Sequence, residues 1–298
     1  MRAERSAAGG GAVHFREMTE ADVGSGLRLS RASGWNQTAD DWQLLLSLGH
    51  GLFRVGAADG HVVACGGAVR YGEALAWICM ILVDPDSRGR GLGTRVFDEV
   101  LERVRLLVDA GRVAAVGLDA TPAGRGIYLL RGFVDGPALV RMVADPAPAA
   151  HGPQRGRVRA MAPGDLGALL ELDRSALGAP RAAVLHHALA SAPELARVVH
   201  DGGGLRGFCL GRHGDRSDHV GPVVAEDEET ARELVAACLA QPRSRPLIVD
   251  ACVEPAWISA LQALGLREQR PFTRMYLADR RPPAQPALEW AVRGPEFG

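Results

Sequence analysis

The run ILVDPDSRGRGLGT, residues 81–94, decides how this sequence is interpreted. Its apolar start, Ile81 to Val83, is typical of the end of a strand, and an arginine- and glycine-rich loop follows from Arg88. An amphipathic helix is predicted directly after the loop, over 93–110. Glycines let an anion approach the main chain closely, and the amides that begin a helix carry partial positive charge. The run therefore predicts a binding site for a pyrophosphate.

Two common phosphate-binding motifs do not describe this loop. The G-x-G-x-x-G pattern of dinucleotide-binding domains is not matched, and the G-K-[ST] ending of a P-loop is missing. One interpretation is a flexible basic loop in front of a helix, with Arg88 and Arg90 solvated. In the other, the same two guanidinium groups donate charge-assisted hydrogen bonds to a bound anion.

Composition limits the classes of function. The chain has 298 residues, enough for two domains, and its 47% hydrophobic and 23% charged residues are typical of globular proteins. A net charge of −1 without a basic stripe argues against a nucleic-acid partner. With no secretory signal and no apolar run of about 20 residues, we expect a cytoplasmic protein without a membrane partner. Five cysteines without a C-x-x-C pair favour small buried side chains, so no metal is expected.

The order of predicted elements indicates an α/β (α+β) fold that occurs twice. Antiparallel strands precede the 93–110 helix, and a fully apolar strand over 113–118 and a short helix over 124–131 follow it. The stretches LLRGFVDGPALVRMV and LQALGLREQRPFTRMYL are the clearest trace of repetition. The predicted boundaries are a disordered lead-in (1–12), a first domain (13–144), a linker (145–156), a second domain (157–278) and a Pro-rich tail (279–298).

The loop resembles motif A of the GNAT superfamily of acyl-CoA N-acyltransferases, R-x-x-G-x-G, with Arg88, Gly91 and Gly93 at the motif positions. The run GRGIYLLRGF, residues 124–133, resembles motif B, with Tyr128 at the tyrosine position. The superfamily resemblance covers roughly residues 13–143, and the second half resembles a degenerate GNAT domain of the tandem type. It implies two GNAT-like domains, each a mixed, mostly antiparallel twisted sheet flanked by helices.

The resemblance implies a catalytic first domain that uses acetyl-CoA as co-substrate, with direct attack by an amine in a ternary complex. Strand residues would contact the pantetheine arm, and loop amides would hold the pyrophosphate. The implied cofactor-binding residues are Ile81, Leu82, Val83, Arg88, Gly89, Arg90, Gly91, Leu92, Gly93 and Thr94. Tyr128 would protonate the departing thiolate, as a catalytic residue.

The proton acceptor and the acceptor-binding residues stay open. Asp119, at the end of the buried strand, is the catalytic candidate, and it could also cap a helix or anchor the substrate; Glu73 and Asp84 are alternatives. Trp35 and Asn36 lie in a glycine-bounded loop, a region that faces the acceptor in GNAT proteins. A substrate role for these two residues competes with simple packing.

The second half has no matching loop. Residues 223–230 read VVAEDEET, and four acidic side chains there would repel a pyrophosphate, so we expect one CoA per chain. The second domain is then free to cover the acceptor site or to form a homodimer interface.

The predicted function is N-acetylation of a primary amine on a small molecule. An aminoglycoside-type antibiotic is the first substrate to name, in resistance or self-protection, because the tandem layout is similar to kasugamycin-type aminoglycoside acetyltransferases. The alternatives are a protein or peptide N-acetyltransferase and a non-catalytic acyl-CoA sensor.

Overall fold

The structure, a computed structural model, describes residues 12–147 and 157–298. The predicted lead-in, except residue 12, and most of the predicted linker lie outside the described residues. The strands and α-helices are β1 (His14–Glu17), α1 (Val23–Ala32), α2 (Ala39–Leu48), β2 (Arg54–Ala58), β3 (His61–Tyr71), β4 (Leu75–Val83), α3 (Leu92–Asp109), β5 (Ala115–Ala120), α4 (Pro122–Leu129), β6 (Phe133–Ala144), β7 (Val158–Ala160), α5 (Leu166–Leu177), α6 (Ala182–Ser191), β8 (Arg197–Asp201), β9 (Gly204–His213), β10 (Asp218–Ala225), α7 (Glu228–Leu239), β11 (Leu247–Cys252), α8 (Pro255–Ala263), β12 (Arg267–Leu277) and β13 (Glu289–Ala291).

Local sequence signals set most of these elements. The Asp59-Gly60 pair turns between β2 and β3 with both residues at positive φ, as a tight hairpin requires. Helix α3 ends at Asp109, and Gly111, two residues further on, has φ of 69°. The apolar stripe of α3 packs against the sheet through Val96, Phe97 and Val100. The predicted 93–110 helix is thus confirmed to within one residue at each end.

All thirteen strands found in residues 12–147 and 157–298 belong to one continuous sheet. Its order is β1-β2-β3-β4-β5-β12-β6-β11-β13-β10-β9-β8-β7, and neighbouring strands are antiparallel except where β4 pairs with β5 and β10 pairs with β11. Helices flank the sheet in both halves, so the predicted mixed, mostly antiparallel fold is confirmed.

The two halves exchange a strand at the centre of this sheet. Strand β12, from the second half, lies between β5 and β6 of the first, and β6 in turn pairs with β11 of the second. The shared β6–β12 pair runs from Arg267 opposite Val143 to Leu277 opposite Phe133. Each half therefore completes its sheet with a strand of the other, and the halves form one folded unit.

The segment after β12, predicted as a Pro-rich tail, enters the interior of the protein. It supplies β13, and Arg293 and Phe297 beyond it are fully buried. Trp77 Nε1 donates to the carbonyl of Pro295 at 2.9 Å, and the Tyr71 hydroxyl donates to the carbonyl of Phe297 at 2.7 Å. These bonds tie the segment to β3 and β4 of the first half.

Buried ion pairs join the halves across the shared strands. Arg274 on β12 donates to both oxygens of Asp119 on β5, at 2.9 and 3.1 Å, and to Glu289 on β13 at 2.8 Å. Arg212 on β9 donates to Asp41 on α2 at 2.6 Å. Removing one partner of a buried pair leaves an uncompensated charge, so these contacts hold the strand order strictly.

Within the described residues, no helix combines the length and the apolar character that crossing a membrane requires.

Candidate functional site

The site begins where β4 parts from β5. The two strands pair only from Leu75 opposite Ala115 to Trp77 opposite Gly117. Beyond that point β4 bulges, because Met80, at φ of 57°, and Ile81 together stand opposite a single residue of β3. A β-bulge bends its strand away from the neighbouring partner. The main-chain edge of β4 that faces β5 is therefore free to pair with an extended ligand.

The loop after β4 leads into an uncapped helix start. Gly89 and Gly91 both have φ of 74°, and open space surrounds the position that a Cβ would take on either. Among the described residues, the amides of Gly89 to Thr94 have no hydrogen-bond acceptor, and the first turn of α3 carries no acidic side chain. Arg88 and Arg90 are exposed beside them. This is a concave group of amide donors at a positive helix end, which suits a pyrophosphate.

The corresponding place in the second half is closed in two ways. Asp227 caps α7 by accepting a hydrogen bond from the amide of Thr230 at 2.8 Å, and Glu228 and Glu229 occupy the first turn. Strand β13 fills the gap where β10 and β11 part, pairing with Val223 on one side and Ala251 on the other. The chain's own strand thus takes the space that stays open between β4 and β5.

Tyr128 faces a cavity of about 50 Å³ at the parting of β4 and β5. The tyrosine ring packs against Phe97 at 4.6 Å, and its hydroxyl makes no hydrogen bond to another described residue. Burial raises the pKa of Tyr128 to about 12, so it is protonated at neutral pH and can donate a proton. The cavity is lined by Trp35, Ile78, Cys79, Met80, Ile81, Leu118, Asp119, Thr121, Tyr128, Pro295 and Glu296.

Asp119 also lines the cavity, but its carboxylate is committed to an ion pair. Both of its oxygens accept hydrogen bonds from Arg274, and its side chain is fully buried. Burial raises the pKa of Asp119, and the charge of Arg274 opposes that rise. This geometry supports a role in positioning β5 and β12, and it does not support Asp119 as the proton acceptor.

The two predicted acceptor-binding residues separate. Trp35 lines the cavity, and its contact with an acceptor stays a prediction. Asn36 points into the loop between β9 and β10, where it donates to the carbonyl of Ser217 at 2.9 Å and accepts from the amides of Arg216 and Ser217. Its side-chain oxygen is fully used at the junction of the halves, so the geometry does not support a contact with the acceptor.

A larger cleft, of about 1230 Å³, lies along α2 and α6. None of the residues predicted for cofactor binding or catalysis lines it. Its volume alone does not make it the reaction site, because the free strand edge, the helix start and Tyr128 meet elsewhere.

The contribution of the last segment to the cavity could not be predicted from the sequence. Pro295 and Glu296 line it, although the nearest other lining residue in the chain, Tyr128, lies 167 positions before Pro295 (295 − 128). The stretch RGPEFG has no periodicity and no motif that would mark Glu296 as a site residue.

Comparisons with known proteins agree with this geometry. Two family models match, an acetyltransferase (GNAT) family over residues 26–133 and an acetyltransferase (GNAT) domain over residues 169–288. Holothin acyltransferase of Pseudoalteromonas sp. (strain SANK 73390) is 26% identical over 250 residues, which cover 82% of this chain and 81% of that protein.

Solved structures share the fold over nearly the whole chain. A protein of Pyrococcus horikoshii superposes with a TM-score of 0.75 at 21% identity and 96% coverage of both chains. A tandem GNAT protein from the clavulanic acid biosynthesis pathway superposes with a TM-score of 0.59 at 16% identity, covering 89% of this chain and 98% of that one. With both halves matched by GNAT models, this chain belongs to the GNAT family, as an acyltransferase with two GNAT domains in tandem.

Proposed function

We propose that the first domain transfers an acetyl group from acetyl-CoA to a primary amine of a small molecule. The observation that carries this proposal is the parting of β4 from β5 beside the free amides of Gly89 to Thr94. The strand edge at Ile81, Leu82 and Val83 would accept the pantetheine arm, and the helix start would hold the pyrophosphate.

The reaction needs no protein nucleophile, because the amine attacks the thioester carbon directly. Holding both reactants in place can supply about 7–11 kcal/mol of the barrier. An ammonium acceptor loses two protons in total as the carbon–nitrogen bond forms. The carbon–sulfur bond breaks and the sulfur gains a proton from Tyr128. Of the two protons that the nitrogen loses, one restores the Tyr128 hydroxyl and the other reaches the solvent in each turnover. The products are the amide and the free thiol of CoA.

The size and lining of the cavity favour a compact acceptor. At about 50 Å³ it admits a reacting amine and a few neighbouring atoms, and its walls are mostly apolar. The last segment covers it, which disfavours an extended peptide. Holothin, which the related acyltransferase is named for, is one candidate. Only one amino group of an aminoglycoside, with the atoms next to it, would fit into the cavity. If an antibiotic of this type is the acceptor, the reaction would serve resistance or self-protection.

The cysteines suit a reducing compartment. In the described residues all five are free thiols, four of them buried. We propose a cytoplasmic location on this ground.

A panel of amines tests the proposed reaction. Thiol release from acetyl-CoA would be followed with holothin, benzylamine, kanamycin, spermidine, lysine and a short peptide with a free amino terminus. We expect a compact primary amine to raise the rate at least ~10²-fold above hydrolysis. Turnover with the peptide alone would move the assignment to peptide acetylation, and CoA binding without turnover of any amine would favour an acyl-CoA sensor.

Gly91→Val tests the cradle at the start of α3. The branched side chain enters open space, so the folded state loses only about 1–2 kcal/mol from the positive φ, while the methyl groups obstruct the anion site. We expect calorimetry to show acetyl-CoA affinity at least ~10-fold weaker. Gly111→Val is the matched control, because Gly111 has φ of 69° and equally open surroundings at the far end of the same helix. Equal losses of affinity in both variants would remove the cradle from the account.

Tyr128→Phe tests the proton donor. Because the hydroxyl makes no hydrogen bond to a described residue, its removal should change stability little while slowing departure of the thiolate. We expect kcat to fall ~10²-fold and the dissociation constant of acetyl-CoA to stay within about twofold of wild type. An unchanged kcat would take Tyr128 out of the mechanism.

A further inference from the structure

The segment that follows β12 performs a different task in each half. Its first part, β13, fills the gap between β10 and β11. Its last part crosses to the first half, where Pro295 and Glu296 become part of the cavity wall beside Tyr128. A segment outside both repeated units therefore fills the gap between β10 and β11 and forms part of the cavity wall between β4 and β5.

The position of Glu296 is fixed from both sides along the chain. The carbonyl of Pro295 accepts a hydrogen bond from Trp77, and the carbonyl of Phe297 accepts one from Tyr71. The Phe297 ring is fully buried in the core of the first half. Glu296 is only 3% exposed, so its carboxylate is held at the cavity and does not swing into solvent.

Two carboxylates line the cavity, and only one of them has a free oxygen. Asp119 gives both oxygens to Arg274. Glu296 accepts from Arg212 at 2.7 Å through Oε1, and its Oε2 has no donor among the described residues. No arginine or histidine is among the lining residues, and most of the others are apolar. Glu296 Oε2 is not among the fully enclosed atoms that lack a partner, so a ligand in the cavity that brings an N–H group can reach it and form a charge-assisted hydrogen bond.

The surroundings of Cys79 agree with this placement. Cys79 lines the same cavity, and burial raises the pKa of its thiol well above the ordinary value, with the charge of Glu296 adding to the rise. The thiol therefore stays neutral, and Glu296 is the carboxylate left to meet a cationic acceptor.

We infer that Glu296 binds the acceptor amine through Oε2 and accepts the proton that the nitrogen must lose before it attacks. The N–H bond breaks, the Oε2–H bond forms, and the proton then passes to solvent. The freed nitrogen lone pair forms the new bond to the thioester carbon. Because the walls are mostly apolar and only one carboxylate oxygen is free to bind a cation, the acceptor class is a primary amine on a compact aliphatic or aromatic frame. This inference rests on the proposed acetyl transfer.

Steady-state kinetics of Glu296→Gln with acetyl-CoA and the best amine of the panel tests the inference. We expect kcat/KM for the amine to fall ~10²-fold at pH 7, with acetyl-CoA affinity within about twofold of wild type. The deficit should shrink at pH 10, where the amine arrives already deprotonated and no proton acceptor is needed. Glu296→Asp, which keeps the charge, should recover at least ~10-fold of the lost kcat/KM.

Asp41→Asn is the matched control for the ion pair. It removes the other carboxylate that Arg212 binds, at 2.6 Å, yet Asp41 does not line the cavity. We expect this variant to be less stable but to keep KM for the amine. A measurement on wild type covers the case in which Glu296→Gln does not fold. The inhibitor is the alcohol analogue of the substrate, in which a hydroxyl group replaces the amine. Its inhibition constant should be at least ~10-fold above the KM of the amine.

The outcomes separate the two proposals. If wild type releases no thiol with any amine, the proposed function and this inference both fall. If wild type turns over the amine but Glu296→Gln stays within twofold, or the alcohol binds as tightly as the amine, only the role of Glu296 is overturned.

Discussion

The parting of β4 from β5 after Trp77 is the constraint on which the site depends. Parallel strands in a sheet normally use each other's main-chain groups, and a bulge at Met80 prevents it here. The same divergence sets the direction in which the chain leaves β4. It therefore places the loop that begins at Arg88, together with the start of α3, beside the free strand edge. One irregularity in one strand therefore provides both a free edge for an extended ligand and a donor-rich helix end for its phosphates.

Each half of the protein contains a pair of parallel strands that diverge, but only in the first half does the gap between them stay open. In the second half β10 and β11 also pair over three residues and separate, but β13 occupies the gap. The strand exchange makes this possible, because β12 carries the chain into the centre of the sheet before the last segment turns back. Arg274 joins the two halves there, and loss of one partner of such a buried pair typically costs about 3–5 kcal/mol. The second domain acts in this account as a support that delivers Glu296 to the first.

Local physics explains what the sequence could predict. The period of the apolar residues in α3, the Asp59-Gly60 turn and the order of strands β2 to β6 all depend on neighbours within a few residues. The position of Tyr128 followed from a motif that the chain carries intact. The strand exchange could not be foreseen, because the alternating pattern of Phe272–Leu277 suits either neighbour equally well. Strand β13, inside the predicted Pro-rich tail, was also missed, since it spans only three residues.

Long-range pairing explains what the sequence could not predict about the site. In the sequence Asp119 is a candidate base, because nothing nearby in the chain shows that its carboxylate is paired. Its partner, Arg274, lies 155 positions away. Asn36 is a candidate substrate contact for the same reason. The residue whose carbonyl accepts its hydrogen bond, Ser217, lies 181 positions away in the chain. Glu296 could not be predicted as a site residue, because no local pattern marks it. Its place at the cavity depends on how the last segment is buried. Sites built from both halves of an exchanged fold share this property.

Amide hydrogen exchange with and without saturating acetyl-CoA tests the central claim most directly, because it follows the main-chain groups themselves. We expect bound acetyl-CoA to slow amide exchange at residues 78–83 and 89–94 and to leave exchange at residues 223–230 unchanged. Unchanged exchange at 89–94, or protection at 223–230 equal to that in the first half, would contradict it.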